Sequence, residues 1–324
     1  MPSSLDSTRF AAVHNNPDQI NLIVVLGPTA SGKTHLAVQL AGWLQGEIIS
    51  ADSRQVYRGM DIGSGKDLEE YGSCPYHLID IVNPGDEYNV HRYQRDCFSV
   101  IQGLWQKNSW PVMVGGTGLY IESVINGYRF VDIPENPELD EELKDLSIEQ
   151  LQQRLFTLSQ HRQQPLHNSS DLQHRARLEQ AIKIAEAELA GFSVPKLPTI
   201  NPLLIGVRWD RPTLRKRITE RLMQRLNNGM IEEVEGLLQQ GVTHEMLDWC
   251  GLEYRFISLY LQNQLNFNDM KQKLNSQIHQ FAKRQDTWFR RMERQGWTIH
   301  WLDAKQDITQ QLQAVLTQNQ LNMP

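Results

Sequence analysis

The 324-residue sequence is poor in cysteine, has no long apolar run and carries no excess of positive charge. Its three cysteines, Cys74, Cys97 and Cys250, are odd in number and far apart, which excludes a disulfide framework and a zinc-binding pattern. No apolar run comes near the roughly 18 residues of a transmembrane helix, and the first residues lack the apolar segment of a signal peptide. We therefore expect a cytoplasmic protein with no membrane partner.

The formal net charge of −6 argues against a globally basic nucleic-acid binder, although it leaves local basic patches open. The hydrophobic and charged fractions, 40% and 22%, are those of an ordinary globular protein. A chain of 324 residues is long enough for one large domain or two smaller ones.

A phosphate-binding motif stands near the start of the chain, between an apolar run at 22–26 and an amphipathic segment. Its G-x-x-x-x-G-K-[ST] spacing is that of a P-loop, in which backbone N–H groups surround a diphosphate at the positive end of a helix. Lys33 adds a positive charge, and the Thr34 hydroxyl is placed to bind Mg²⁺. An accidental glycine-rich turn is the alternative, which the flanking strand and helix disfavour. The predicted diphosphate-binding residues are Gly27, Pro28, Thr29, Ala30, Ser31, Gly32, Lys33 and Thr34.

Strands alternate with helices over much of the chain, which predicts a parallel sheet with helices on its faces. The fold class is therefore α/β, with a P-loop NTPase-like parallel sheet flanked by helices and an all-helical insertion domain. The predicted strands cover 22–26, 47–50, 77–82, 111–114, 203–207 and 297–302. The predicted parts are a disordered tail at 1–19, a core at 20–127 and 200–303 with its C-terminal helices, the insertion at 128–199, and a C-terminal tail at 304–324.

Two predicted helices carry basic side chains. In the helix at 212–229, Arg217, Arg221 and Arg225 stand four residues apart, a spacing at which like charges cost about 0.2–0.5 kcal/mol per pair. A bound anion would offset that cost, but a solvated face relieved by Glu220 explains the pattern equally well. The helix at 269–295 has a balance of seven basic against two acidic residues between Lys271 and Arg294, interleaved with aromatic residues. Such a patch indicates a nucleic-acid contact, although the aromatics alone are more typical of a core.

The reaction that the P-loop serves depends on which acidic residue lies near it. An ATPase needs an Asp at the end of an apolar strand, but the strand at 111–114 runs into Gly115 and Gly116 instead. The best-placed acid is Asp52, which follows the second strand and could serve Mg²⁺ or take a proton from a nucleophile. Two enzyme classes stay open on these grounds, phosphoryl transfer to a small acceptor and displacement of a whole diphosphate.

Five separated motifs, in order along 22–302, resemble those of the tRNA dimethylallyltransferases. They read GPTASGKT at 27–34, DSRQVYRG at 52–59, MDIG at 60–63, GGTGLY at 115–120 and AKRQDTW at 282–288. The resemblance implies that the P-loop holds the diphosphate of dimethylallyl diphosphate rather than ATP. It also implies that the dimethylallyl group passes to the exocyclic amine of the adenine next to the anticodon in tRNA.

Site residues follow from the resemblance. Asp52 is expected to act as the general base, Lys33 and Arg221 to neutralise the leaving diphosphate, and Thr117 to donate to its oxygens. The cofactor is expected to be Mg²⁺, and the Thr34 hydroxyl is expected to bind it. The residues expected to touch tRNA, including the flipped-out base, are Asp52, Ser53, Arg54, Gln55, Asp171, Arg175, Arg177, Lys283, Arg284 and Arg290.

The sequence departs from the family pattern on the side expected to meet RNA. The family's usual Gly-Tyr-[Lys/Arg]-Glu is replaced by Gly-Leu-Glu-Tyr-Arg at 251–255, and the insertion reads Ser-Ser-Asp at 169–171 where the family has Asn-Asp. The partners remain dimethylallyl diphosphate and the anticodon stem-loop of tRNA, which the insertion is expected to clamp, and the protein is expected to be a monomer. The alternatives are an adenylate dimethylallyltransferase acting on free AMP, ADP or ATP, a nucleotide kinase, and a non-catalytic RNA-binding protein.

Overall fold

The computed structural model describes residues 19–128, 130, 136–160, 175–192 and 197–321. Within these residues six strands form one sheet in which every neighbouring pair is parallel, in the order β3-β2-β4-β1-β5-β6. This confirms the predicted α/β class. The strands are β1 (Leu22–Leu26), β2 (Gly46–Ser50), β3 (Tyr76–His77), β4 (Trp110–Gly115), β5 (Pro202–Arg208) and β6 (Ile299–Asp303).

Twelve α-helices accompany the strands in the described part of the chain. They are α1 (Lys33–Leu44), α2 (Val90–Gln106), α3 (Gly118–Ile125), α4 (Pro137–Lys144), α5 (Ile148–Gln160), α6 (Arg175–Leu189), α7 (Arg211–Asn227), α8 (Met230–Gln239), α9 (His244–Cys250), α10 (Leu252–Leu261), α11 (Phe267–Arg294) and α12 (Ile308–Gln318). Within the described ranges, none of them combines the length and the apolarity that crossing a bilayer requires.

The strand order brings three loops to one edge of the sheet. The central strand β1 is fully buried along its length, as expected for a parallel strand covered on both faces. In the register, Leu26 pairs with Gly115, and Ser50 pairs with Val114. Because these residues end β1, β4 and β2, the segments that follow them leave the sheet at the same edge, where open α/β sheets bind their ligands.

The segment at 77–82 was predicted as a strand, and this prediction is wrong beyond His77, because β3 ends there. Leu78 and Asp80 have left-handed backbone conformations, with φ of 62° and 55°, which interrupt an extended strand. The buried ammonium group of Lys66 forms an ion pair with Asp80 and so holds the turn. Asp80 is therefore a structural partner of Lys66.

The C-terminal stretch at 304–324 was predicted as a tail, but most of it forms helix α12. Leu312 and Leu316 on this helix are fully buried against the sheet. The Asp307 side chain caps the helix by accepting from the Gln310 N–H at 3.0 Å. Several glutamines hide this helix in the sequence, because they separate the apolar residues that reach the core.

Residues 128–197 form a compact unit of their own, close to the predicted insertion at 128–199. Helices α4, α5 and α6 supply its core, which includes Leu143, Leu151 and Ile182. The guanidinium of Arg175 donates to the carbonyls of Leu143 and Leu146, both at 2.7 Å. Arg175 thereby satisfies the end of α4, where backbone carbonyls lack partners within the helix.

Candidate active site

A cavity of about 970 Å³ opens at the sheet edge where β1, β2 and β4 end. Its wall combines the P-loop, the loop after β2, the turn after β4 and one face each of α7 and α11. All four predicted catalytic residues line it, together with several of those predicted to bind diphosphate or tRNA. These lining residues are Thr29, Ala30, Gly32, Lys33, Thr34, Asp52, Ser53, Arg54, Gln55, Thr117, Arg221 and Arg284.

Two glycines and contacts from other segments fix the conformation of the P-loop. Gly32 takes φ of 90° at the N-terminus of α1, a conformation that suits glycine. A Cβ on Gly27 would lie 2.8 Å from the Ser31 hydroxyl, so this position also needs glycine. The Trp209 indole donates to the Ser31 carbonyl, and Arg217 Nε donates to the Ala30 carbonyl, both at 2.9 Å. The first N–H groups of α1 lack partners within the helix and are available to a phosphate.

Lys33 is a cation in need of a counter-ion. Burial lowers its pKa to about 8, the charges of Arg221 and Arg225 act in the same direction, and Asp52 opposes them. Its ammonium group lies 3.4 Å from the Pro28 carbonyl. A diphosphate would supply the missing negative charge, and its binding would restore the ordinary pKa of the lysine.

Gln285 connects two of the sequence motifs. Its side-chain oxygen accepts from the Thr29 N–H of the P-loop at 2.9 Å, and its amide nitrogen donates to the Gly116 carbonyl at 3.0 Å. A Cβ on Gly116 would come within 2.2 Å of that nitrogen, and a Cβ on Gly118 within 2.2 Å of the Trp288 ring. The motif at 282–288 therefore braces the phosphate loop and the glycine turn. Sequence reasoning missed this role because it weighed the cations of α11 and not its neutral glutamine.

Asp52 stands on a loop that Thr117 fixes. The Thr117 hydroxyl accepts from the Ser53 N–H at 3.1 Å, and the Thr117 N–H donates to the Ala51 carbonyl at 3.2 Å. One carboxylate oxygen of Asp52 accepts from the Arg54 N–H at 3.0 Å, which sets the direction of the carboxylate. Asp52 and Lys33 line the same cavity, and the negative charge of Asp52 opposes the lowering of the Lys33 pKa.

The other residues of the Asp52 loop are also engaged. Gln55 accepts from the Ser50 hydroxyl at 2.7 Å and donates to the Gly65 carbonyl at 3.1 Å, so it is buried support for the loop. The Arg54 guanidinium donates to the Trp249 carbonyl. Both side chains still contribute to the cavity wall.

The arginine face of α7 lines the cavity, and binding of an anion to it stays a prediction. Arg217 holds the P-loop, while Arg221 and Arg225 both donate to Asp67, the latter at 3.3 Å. Burial alone would raise the pKa of Asp67, but the two guanidinium groups outweigh it and lower the pKa. Glu220 forms its ion pair with Lys216, at 3.7 Å.

Glu233 on α8 holds the MDIG motif, a role that the sequence did not reveal. Its carboxylate accepts from three successive backbone N–H groups, those of Asp61, Ile62 and Gly63, at 2.6–3.0 Å. The Tyr254 hydroxyl donates to the same carboxylate at 2.9 Å. Tyr254, which belongs to the segment that departs from the family pattern, is therefore a buried support of this loop.

The residues predicted to touch tRNA are distributed over the chain. Lys283, Arg284 and Arg290 are exposed on α11, and of these Arg284 also lines the cavity. Asp171 and the side chain of Arg177 lie outside the described residues.

The cavity fits a magnesium ion held mainly by a substrate. Among the described residues there is no cluster of three His, Cys, Asp or Glu side chains that could hold a metal. Mg²⁺ commonly keeps several waters and binds one or two protein oxygens together with substrate phosphates. The Thr34 hydroxyl, at the start of α1 in the cavity wall, is the protein oxygen that would serve this ion.

Two family models match the chain. The model described as IPP transferase covers residues 55–292, and the model described as isopentenyl transferase covers residues 20–71. This chain belongs to the IPP transferase family.

Among the relatives of this IPP transferase, the tRNA dimethylallyltransferase 1 of Geotalea uraniireducens is 56% identical over 300 residues, which are 92% of this chain and 98% of the relative. The tRNA dimethylallyltransferase 2 of Syntrophotalea carbinolica is 57% identical, with 90% and 97% of the two chains covered. The crystal structure of the full-length tRNA isopentenylpyrophosphate transferase from Bacillus halodurans is similar with a TM-score of 0.66 and 29% identity, covering 93% of this chain and 98% of that one.

Proposed function

We propose that this chain transfers a dimethylallyl group from dimethylallyl diphosphate to the exocyclic amine of the adenine next to the anticodon in tRNA. The observation that carries the proposal is the meeting of a P-loop and Asp52 in one cavity, with an arginine face beside them. Family membership and the names of the relatives support the same activity.

The P-loop holds the donor by its diphosphate. The N–H groups at the start of α1 and the Lys33 ammonium surround the phosphates, and Arg221 approaches from α7. Negative charge grows on the leaving oxygens as the bond to the dimethylallyl carbon breaks, so fixed donors at that place lower the barrier. Bound Mg²⁺, held by Thr34 and the phosphates, would supply further positive charge to the leaving group.

Asp52 prepares the acceptor. The nitrogen of the adenine amine forms a bond to the first carbon of the dimethylallyl group, the bond from that carbon to the diphosphate oxygen breaks, and the amine gives up a proton. Asp52 accepts this proton, since an aromatic amine is a poor nucleophile without a positioned base. Thr117 keeps the Asp52 loop in place and has a hydroxyl hydrogen to offer to the diphosphate. Ser53, Arg54 and Gln55 line the part of the wall next to Asp52, where the base would lie.

The acceptor base must leave its stack to reach this cavity. We assign Lys283, Arg284 and Arg290 on α11 to the tRNA backbone, because exposed cations on an otherwise acidic protein suit phosphate contacts. We also assign the helical unit at 128–197 to tRNA binding. A free nucleotide as acceptor would need neither this unit nor the cations of α11. We also assign the reaction to the cytoplasm, where the three free cysteines stay reduced.

The test uses the purified full-length chain with Mg²⁺, dimethylallyl diphosphate labelled in the dimethylallyl group, and either unmodified tRNA or AMP. We expect label in tRNA, at the adenine next to the anticodon, and none in AMP. Label in AMP would replace the proposal with an adenylate dimethylallyltransferase. Label in neither, with phosphate transfer from ATP, would replace it with a nucleotide kinase.

A further inference from the structure

Asp67 is a negatively charged side chain in the wall of the cavity that contains the proposed anion site. It lines the same cavity as Lys33, Arg221 and Arg225. One of its carboxylate oxygens accepts from Arg221 and also from Arg225, the latter at 3.3 Å. A carboxylate at this place repels every phosphate that enters. A role for Asp67 in anion binding would explain why it is there.

The position of Asp67 is fixed by the buried residue before it. Lys66 has no exposed side-chain surface, and its ammonium group contacts the Tyr57 carbonyl at 2.8 Å and Asp61 at 2.6 Å. Asp67 itself has φ of 45°, a left-handed conformation that aspartate tolerates better than most residues. The pair with the arginines is therefore built into the loop and is not a loose surface contact.

Arg225 is held in a narrow space next to Asp67. A Cβ on Gly65 would lie 1.9 Å from its guanidinium, so only glycine leaves room for it. The side chain of Arg225 is 13% exposed, whereas that of Arg221 is 30% exposed. One carboxylate oxygen of Asp67 thus contacts both guanidinium groups, and the contact with Arg221 is the shorter one.

The charged side chains beside the P-loop affect which anion binds there. Lys33, Arg221 and Arg225 provide positive charge there, and Asp67 is the carboxylate that pairs directly with both arginines. P-loops commonly bind nucleoside triphosphates, which carry one phosphate more than the proposed donor and are potential competitors for the same amides. Discrimination between two such anions can come from a group that repels the wrong one.

We propose that Asp67 makes the anion site of the P-loop and α7 specific for a diphosphate, because it pairs with both Arg221 and Arg225 and repels the additional phosphate of a nucleoside triphosphate. This inference rests on the proposed function and adds to it the exclusion of ATP and related nucleotides. The two arginines keep the pKa of Asp67 below its ordinary range, so the carboxylate is ionised at neutral pH.

The test measures binding of inorganic pyrophosphate and inorganic tripolyphosphate, with Mg²⁺, to the full-length chain by calorimetry. The variant is Asp67→Asn, because asparagine keeps the shape and also tolerates a positive φ. The matched control is Glu70→Gln, since Glu70 is a carboxylate in the same cavity wall that is not an ion-pair partner of Arg221 or Arg225. Asp67→Gly, which suits the left-handed backbone, is the second variant in case the asparagine variant does not fold.

We expect Asp67→Asn and Asp67→Gly to strengthen tripolyphosphate binding relative to pyrophosphate binding by about fivefold, the scale of one partly exposed charge pair. Glu70→Gln should leave that ratio within about twofold of the wild-type value, because an exposed charge is screened. An unchanged ratio in both Asp67 variants, or equal weakening of both anions, overturns the inference while pyrophosphate binding to the wild type keeps the proposed function standing. Failure of the wild type to bind pyrophosphate would overturn the proposed function as well.

Discussion

Asp52 is the side chain on which the proposed proton transfer depends. Its carboxylate is oriented by the Arg54 N–H, and its loop is tied to Thr117 at the end of the neighbouring strand. Because these contacts belong to the backbone and to Thr117, the loop should keep its shape when the carboxylate is neutralised.

We predict that Asp52→Asn lowers the rate of dimethylallyl transfer by roughly 10²–10⁴, the usual contribution of a general base. Binding of unmodified tRNA should change by less than about twofold, since phosphate contacts supply most of that affinity. Single-turnover kinetics and filter binding measure the two quantities. Wild-type turnover in this variant would remove Asp52 from the mechanism.

Lys33 gives the donor site a pH dependence with a defined sign. Burial lowers its pKa to about 8 in the free protein, and a bound diphosphate raises that pKa again. Donor binding is therefore coupled to protonation of Lys33. Affinity should be full below pH 8 and should fall as the pH rises above it, because binding must then also supply a proton.

We predict that the dissociation constant of dimethylallyl diphosphate rises by up to about tenfold per pH unit above pH 8, as expected for one coupled proton. Calorimetry without tRNA measures it, since no turnover occurs without the acceptor. Lys33→Ala should bind more weakly and should lose the dependence. The same pH dependence in Lys33→Ala would assign it to another group.

Individual side chains also show where sequence reasoning reaches its limit. The P-loop and Asp52 were predictable because their chemistry is tied to a fixed local spacing. Gln285 and Glu233 were not, because each acts on a segment far away in sequence, Thr29 and the 61–63 loop. Only the fold brings such partners together.

The glycine turn after β4 and helix α11 act as one element. Gly116 and Gly118 lie against Gln285 and Trp288, which explains why the motifs at 115–120 and 282–288 occur in one protein. Any side chain at these glycines must displace a ring or an amide of α11.

We predict that Gly118→Ala lowers the free energy of unfolding by about 1–3 kcal/mol, because its Cβ would overlap the Trp288 ring. It should also weaken donor binding, since Trp288 belongs to the cavity wall. The control is Gly103→Ala in the last turn of α2, where nothing lies within 4 Å of the added Cβ. This control should stabilise the protein by about 0.5–1 kcal/mol. Urea unfolding measures the stability of both variants. Equal changes in the free energy of unfolding would contradict the packing argument.

Helix α11 has two functions on different faces. Gln285 and Phe289 are buried and Trp288 is half-buried, whereas Lys283, Arg284 and Arg290 are exposed. The predicted basic helix therefore braces the cavity with one face and exposes cations on another, where we propose that tRNA binds.

We predict that the triple change Lys283→Gln, Arg284→Gln and Arg290→Gln weakens tRNA binding and reduces the slope of log affinity against log salt by up to about three, one unit for each lost phosphate contact. Arg95→Gln on α2, at a side chain that is 60% exposed, is the control and should leave the slope unchanged. Titrations at several salt concentrations give the slope. An unaltered slope in the triple variant would place the RNA elsewhere.

Helix α12 and strand β3 mark the limits of pattern reading for whole elements. Helix α12 has few apolar residues in its sequence, so its pattern is weak. The chain after β3 turns because Lys66 forms an ion pair with Asp80. The strongly apolar strands β1, β4 and β5 were predictable because they are buried on both faces.

Across the whole chain, the strand order is what creates the site. It places the ends of β1, β2 and β4 side by side, so that three separate motifs line one cavity. Helices α7 and α11 then add the arginines and the brace. The central claim is that this cavity holds the diphosphate of the donor on the P-loop, next to Asp52.

Crystals of the full-length chain soaked with dimethylallyl diphosphate and Mg²⁺ test this claim most directly. We predict a diphosphate within hydrogen-bond distance of the N–H groups of 32–34 and of the Lys33 ammonium, with the dimethylallyl chain directed toward Asp52. A P-loop without the donor, or one that holds ATP phosphates beside a bound phosphate acceptor, would contradict the account.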